Sequence, residues 1–253
     1  VVIRILPTIA AQLDPTDSAA FKIAADISLT YPAGGEVLVV DNPETIVWTK
    51  SGTISQIVLK YDTNAGDDNY PNTIATLPAT DLGYTWPVPD AISDTVKIKI
   101  EDAAVGSNTE PQESGNFVIR GSILVTSPAG VGVNKKVWIC REANNINYTV
   151  HGSIPNVQLR LSLNNGSTYP DDKIILNSVA AGPGTHTYSW TVPDDTSTQA
   201  MVKISQVGKA TIYDESDPFT IRGGFTISEP NSSTRWLSGS IGNTISWTTK
   251  GII

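Results

Sequence analysis

The sequence predicts an all-β chain of tandem β-sandwiches, and three observations carry that reading. One block recurs intact. Tyr84-Thr-Trp86-Pro-Val88-Pro89-Asp90 with Val96-Lys-Ile98-Lys-Ile100 returns as Tyr188-Ser-Trp190-Thr-Val192-Pro193-Asp194 with Val202-Lys-Ile204. Apolar residues alternate with polar ones over short stretches bounded by Gly, Pro, Asn and Asp, the period of half-buried strands, and no helical period of useful length is present. The segment Phe-x-Ile occurs three times, as Phe21-Lys-Ile23, Phe117-Val-Ile119 and Phe219-Thr-Ile221, with spacings of 96 (117 − 21) and 102 (219 − 117).

The elements follow from that register. An opening strand is read three times: Ile27-Ser-Leu29-Thr-Tyr31-Pro32, Ile123-Leu-Val125-Thr-Ser127-Pro128 and Phe225-Thr-Ile227-Ser-Glu229-Pro230. Next come Thr45-Ile-Val-Trp48 and its equivalents ending in Tyr148 and Trp247. A large aromatic on a central strand is how a small sandwich without a disulfide fills its core. Ile57, Leu59 and Tyr61 form the inward face of the following strand, as do Val157, Leu159 and Leu161. Two complete repeats are expected at 26–121 and 122–223, with about seven strands each and with Trp48, Trp86, Tyr148 and Trp190 buried. Residues 1–25 match only the C-terminal strands of a preceding repeat: Val1, Ile3 and Ile5 mirror Val96, Ile98 and Ile100. Residues 224–253 match only the N-terminal strands of a following one. The chain is therefore expected to continue beyond both ends in a longer array. The linkers, Arg120-Gly121 and Arg222-Gly223-Gly224, are short enough to make that array semi-rigid.

Composition narrows the class. Hydrophobic residues make up 40% of the chain, enough for packed cores. A net charge of −8 argues against nucleic acid and anionic membrane surfaces, which call for a basic patch. No apolar run reaches the length of a membrane span, and no signal peptide is visible. The single cysteine, Cys140, excludes an internal disulfide and reads as a small buried hydrophobe on a strand.

The first repeat carries the motif set Ile-x-Leu-x-x-Pro-x-Gly-Gly-Glu, Ile-Val-Trp-Thr, Tyr-x-Trp-x-Val-Pro-Asp and Ser-x-x-Phe-x-Ile, and the last two recur intact in the second. It resembles the tandem Ig-like/fibronectin-like repeat named after yeast cell-wall-synthesis-associated, Ser/Thr-rich GPI-anchored proteins, a module also found in bacterial and archaeal surface proteins. Pro32, Gly34, Gly35, Glu36, Trp48, Trp86, Val88 and Pro89 match it. The second repeat departs, with Gly130-Val-Gly132 and an insertion in place of Gly34-Gly35-Glu36, and Tyr148 in place of Trp48. The resemblance implies tandem Ig-like/fibronectin III-like β-sandwiches, an extracellular location and no catalytic residues.

Candidate chemistry is sparse. The loops Asp62-Thr-Asn64-Ala-Gly66-Asp67-Asp68-Asn69-Tyr70 and Ser162-Leu-Asn164-Asn165-Gly166-Ser-Thr-Tyr169 resemble the Asp-box hairpin, in which a polar side chain caps the turn and an aromatic folds back. Asp62, Asn64, Asp67 and Asp68 offer hard oxygens that calcium would accept, so they are the metal candidates; the spacing departs from an EF-hand loop, and the second hairpin has no aspartate. A second acidic group, Asp14, Asp17, Glu110, Glu113, Asp214, Glu215 and Asp217, falls near the repeat junctions, where calcium would stiffen the array. His151 and His186 have no nucleophile-elbow serine to serve. No catalytic residue and no cofactor other than calcium is expected.

The expected function is thus a non-enzymatic extracellular structural protein, part of a cell-surface layer, filament, sheath or adhesin stalk. Its expected partners are neighbouring repeats and copies of the same protein, with cell-surface polysaccharide as a further candidate. The competing reading is a carbohydrate-binding or spacer module of a secreted hydrolase. That reading needs exposed aromatics lined along one sheet, whereas the aromatics of this sequence are expected to face inward.

Overall fold

The structure, a computed structural model, describes residues 1–6, 16–65, 67 and 69–252. It contains two compact units, Val1–Arg120 and Gly121–Ile253.

The first unit opens with a two-stranded ribbon, β1 (Arg4–Ile5) against β2 (Thr16–Asp17). Nine strands follow: β3 (Asp26–Tyr31), β4 (Val37–Val39), β5 (Pro43–Ser51), β6 (Gln56–Asp62), β7 (Asn72–Pro78), β8 (Gly83–Pro87), β9 (Ser93–Asp102), β10 (Gln112–Glu113) and β11 (Phe117–Arg120). One sheet has the order β3-β5-β8, the other β4-β11-β9-β6-β7, with β10 added to β9. All pairings are antiparallel except β4 with β11. The inner faces meet in a core containing Ile27, Trp48, Ile57, Leu59, Trp86, Ile98 and Phe117. Trp48, at 1% exposure, donates its indole N–H to the Ala79 carbonyl at 3.3 Å.

The second unit repeats this plan. Its strands are β12 (Ser122–Ser127), β13 (Val137–Ile139), β14 (Ala143–His151), β15 (Asn156–Ser162), β16 (Ile174–Ala180), β17 (Gly184–Thr191), β18 (Ser197–Gln206), β19 (Lys209–Glu215) and β20 (Phe219–Arg222). The sheets run β12-β14-β17 and β13-β20-β18-β15-β16, with β19 on β18. Tyr148 and Trp190 are buried as expected. Trp138 takes the place of Leu38 and packs 5.9 Å from Trp190 and 4.7 Å from Phe219, measured between ring centroids. A ribbon of β21 (Gly224–Glu229) and β22 (Ser246–Lys250) ends the described chain.

The fold is all-β, with Ig-like/fibronectin III-like sandwiches in tandem. Each has nine strands rather than the expected seven. Three of the four additional strands are short: β4 and β13 have three residues each and β10 has two, whereas β19, the counterpart of β10, has seven. Alternation cannot register over two or three positions, and the short strands exist because a neighbouring edge offers them hydrogen bonds.

The three opening strands keep one register. Leu29 faces Trp48, Val125 faces Tyr148 and Ile227 faces Trp247, each pair followed by a bulge. A cis X-Pro bond follows each time, at Pro32, Pro128 and Pro230. The N-terminal ribbon repeats the closing register: Ile5 faces Thr16 and Arg4 faces Asp17, as Ile100 faces Gln112 and Lys99 faces Glu113.

The Ser-x-x-Phe-x-Ile motif also gains a reason. Ser114 Oγ accepts the Ile98 N–H at 3.0 Å while the Ser114 N–H donates to the Ile98 carbonyl at 2.8 Å. Ser216 and Val202 make the same pair at 2.9 and 2.8 Å, and Ser18 and Ile3 at 3.1 and 2.9 Å. The serine side chain thus stands in for the backbone acceptor that the edge of β9 or β18 lacks.

Candidate functional site

At the first hairpin, Asp62 is 2% exposed and ends β6. Its Oδ1 accepts the Asn64 N–H at 2.9 Å, capping the turn; its Oδ2 is buried without a hydrogen-bond partner. Asn64 and Asp67 are exposed, and Asp68 lies outside the described residues. The structure therefore separates the candidate oxygens into one buried carboxylate and solvent-facing groups. Among the described residues, no group of three or more His, Cys, Asp or Glu side chains comes close enough to hold a metal ion. The second hairpin does the same structural work without charge: Ser162 Oγ donates to Asn164 Oδ1 at 2.8 Å and accepts the Gly166 N–H at 3.0 Å.

In both hairpins the tyrosine folds back. Tyr70 and Tyr169 bury hydroxyls that make no hydrogen bond of normal geometry. Burial, with Glu113 and then Asp62 nearby, pushes the Tyr70 phenol well above its ordinary pKa; burial and Glu215 do so for Tyr169.

The acidic residues near the junctions do not converge. Asp17 pairs with Arg4 at 2.6 Å, Glu113 with Lys97 at 3.7 Å and Glu215 with Lys203 at 3.7 Å. Asp214 accepts the Val125 N–H at 2.7 Å, Asp217 accepts the Gly130 N–H at 2.9 Å, Glu110 is exposed, and Asp14 lies outside the described residues. The Asp217 contact explains how the second repeat dispenses with Gly-Gly-Glu. In the first repeat Glu36 accepts the Ala33 and Gly34 N–H groups at 2.8 Å each; in the second, the carboxylate comes from a residue 87 positions downstream.

His186 hydrogen-bonds the Gly182 carbonyl at 2.8 Å and stacks on Tyr148, so it closes the sheet edge. Cys140 is fully buried, and burial raises its thiol pKa, which leaves it unreactive.

The arrangement that does bring functional groups together was not singled out from the sequence. It is the rim of the second sandwich where β13 leaves its sheet and the Val192-Pro193-Asp194 turn follows β17. Arg141 adopts φ 63° and donates its N–H to the Val192 carbonyl at 2.8 Å; the Val192 N–H returns to the Glu142 carbonyl at 3.1 Å. That backbone pairing fixes Arg141 beside Asp194. Arg141 Nε donates to Asp194 Oδ1 at 2.8 Å and Nη2 to Oδ2 at 2.7 Å, a two-pronged ion pair. Arg141 first, against a small burial effect, holds the Asp194 carboxyl below the usual carboxylate range.

The end of β22 and the two residues after it meet this rim. The Gly251 N–H donates to Asp194 Oδ1 at 3.1 Å, the Ile252 N–H to the Asp194 carbonyl at 3.2 Å, and Lys250 Nζ to Glu142 Oε1 at 2.9 Å. A crevice of about 480 Å³ lined by Thr198, Thr220, Arg222, Phe225 and Ile252 opens on the same side. The one hint in the sequence was the recurrence of Val-Pro-Asp, which reads as a turn.

No protein-family model and no curated protein sequence matches the chain. Among solved structures, it is similar to the fibronectin(III)-like modules of Clostridium thermocellum CbhA, with 14% identity over 77% of this chain and 92% of that one and a TM-score of 0.26. It is also similar to a tetra-tandem repeat in the extending region of a large adhesion protein, with 13% identity, 87% and 56% coverage and a TM-score of 0.32. A third is the titin domains z1z2 in complex with telethonin, with 11% identity, 80% and 98% coverage and a TM-score of 0.27.

Proposed function

We propose that the chain is a non-enzymatic structural protein, a segment of a tandem Ig-like array carried outside the cell in a surface layer, filament, sheath or adhesin stalk. One observation supports this above the others: the same strand register, bulge and buried serine recur from unit to unit, with one residue between the last strand of a repeat and the first strand of the next. A chain selected for length and stiffness keeps those features; a chain selected for a pocket varies its loops around one. The finer assignment, to the family named after yeast cell-wall-synthesis proteins, rests on the quoted motifs alone. The carbohydrate-binding reading draws no support from the tryptophans of the two complete sandwiches, since Trp48, Trp86, Trp138 and Trp190 all point into cores; Trp236 and Trp247, in the C-terminal segment, are exposed.

Antibodies against residues 26–223 test the location. Labelling of intact source cells, abolished by brief external proteolysis, is expected. Labelling only after lysis would overturn the extracellular reading.

A further inference from the structure

We propose that the Arg141–Glu142–Asp194 rim is a docking seat for the hairpin end of a following repeat, with Asp194 as its hub. The seat takes a β-hairpin that ends in a basic residue followed by glycine. The proposal rests on the tandem-array reading and adds to it the residues that set the stiffness of a junction.

Asp194 Oδ1 serves two donors at once, the Arg141 guanidinium and the Gly251 backbone, and its own carbonyl takes the Ile252 N–H. One residue of the sandwich therefore holds two consecutive amides of the next unit. The neighbouring charge is matched as well, with Lys250 on Glu142. Position 251 admits only glycine for two reasons. Its φ is +84°, in the left-handed region. A Cβ there would also lie 2.7 Å from Cys140 Sγ and 3.1 Å from Gly223 Cα. Cys140 thus finds a role as the floor of the seat rather than as a thiol.

The charges also give the seat a preference. In the first repeat the positions of Arg141 and Asp194 are Asp41 and Asp90, two like charges, so the fork belongs to the second repeat alone. A short linker restricts the angle between neighbours but does not by itself fix the remaining bend and twist. Two hydrogen bonds from backbone amides and one ion pair, Lys250 with Glu142, all displaced from the linker, remove that freedom. The ion pairs are solvent-exposed and salt-screened, so the clasp is expected to loosen as ionic strength rises.

Backbone amide exchange and heteronuclear relaxation on the full 253-residue chain test the proposal. In the parent chain the Gly251 and Ile252 amides are expected to be protected. In Asp194→Ala, Gly251→Ala and Lys250→Glu they are expected to exchange about tenfold or more faster, with faster local motion across 224–252. Amides of Val150, Leu159 and Ile204 report whether the sandwich itself is intact. Arg141→Lys, which keeps the charge and loses the fork, should give an intermediate effect. Two of these variants lie outside the sandwich, so a folding defect in Asp194→Ala leaves the question decidable. Unchanged protection and unchanged motion in Gly251→Ala and Lys250→Glu would overturn the seat while leaving the array reading, tested by cell labelling, untouched.

Discussion

At the scale of single residues, two kinds of side chain hold each sandwich. The large aromatics fill the gap between sheets, and Trp48 also satisfies the Ala79 carbonyl. Trp48→Ala is expected to lower the unfolding free energy by roughly 3–5 kcal/mol, read from urea titration of the full chain. A loss below about 1 kcal/mol would mean that the core collapses around the missing ring. The buried serines act differently. Ser114→Ala removes the acceptor for the Ile98 N–H and leaves that donor in a dry sheet, at an expected cost of about 1–3 kcal/mol. Ser55→Ala, on an exposed serine, is the control and should change stability by less than about 0.5 kcal/mol.

At the scale of elements, the turn after the first strand shows one problem solved twice. Gly34 adopts φ +129°, and a Cβ there would meet Gly115 Cα at 2.8 Å. The amides of Ala33 and Gly34 converge on Glu36, whereas Gly130 relies on Asp217. Glu36→Ala should therefore destabilise the first sandwich by about 1–2 kcal/mol, and Asp217→Ala should destabilise the second comparably. Each effect is expected to stay within its own repeat, which repeat-resolved amide exchange would check. Destabilisation of both sandwiches by either single change would contradict the assignment.

At the scale of the whole molecule, pH dependence follows from three carboxylates held below their ordinary pKa. Asp102 is held by Ser107, the Ala104 amide and Thr109, and Asp194 by Arg141. Glu101 is held by Lys60 and Lys99 against the opposing effect of burial. A depressed folded-state pKa contributes stability that is complete above the unfolded value, about 4, and is lost as pH falls through the folded value. The melting temperature is thus expected to be flat from pH 7 to about 5 and to fall below about 4. Scanning calorimetry across that range checks the sign; a fall beginning near pH 6.5 would point to histidine instead.

The repeat, the inward faces and the turns are legible in the chain, because each is a local matter. Alternation selects which side of a strand is buried, and a bulge, a proline and a large aromatic at constant spacing repeat the same local geometry wherever the chain places them. Phe225 and Trp247 are 64% and 57% exposed although their register matches buried positions in the complete repeats, a difference that periodicity does not show. Which polar groups meet across long separations is visible in the folded molecule alone. Asp214 caps the amide of Val125 from 89 residues away, and Asp194 gathers Arg141 and Gly251 from 53 and 57 residues away. The hairpin aspartates look alike as letters, yet one is buried at a strand end and another faces solvent. Such encounters depend on where sheet edges finish in space, and no periodicity in the chain encodes that.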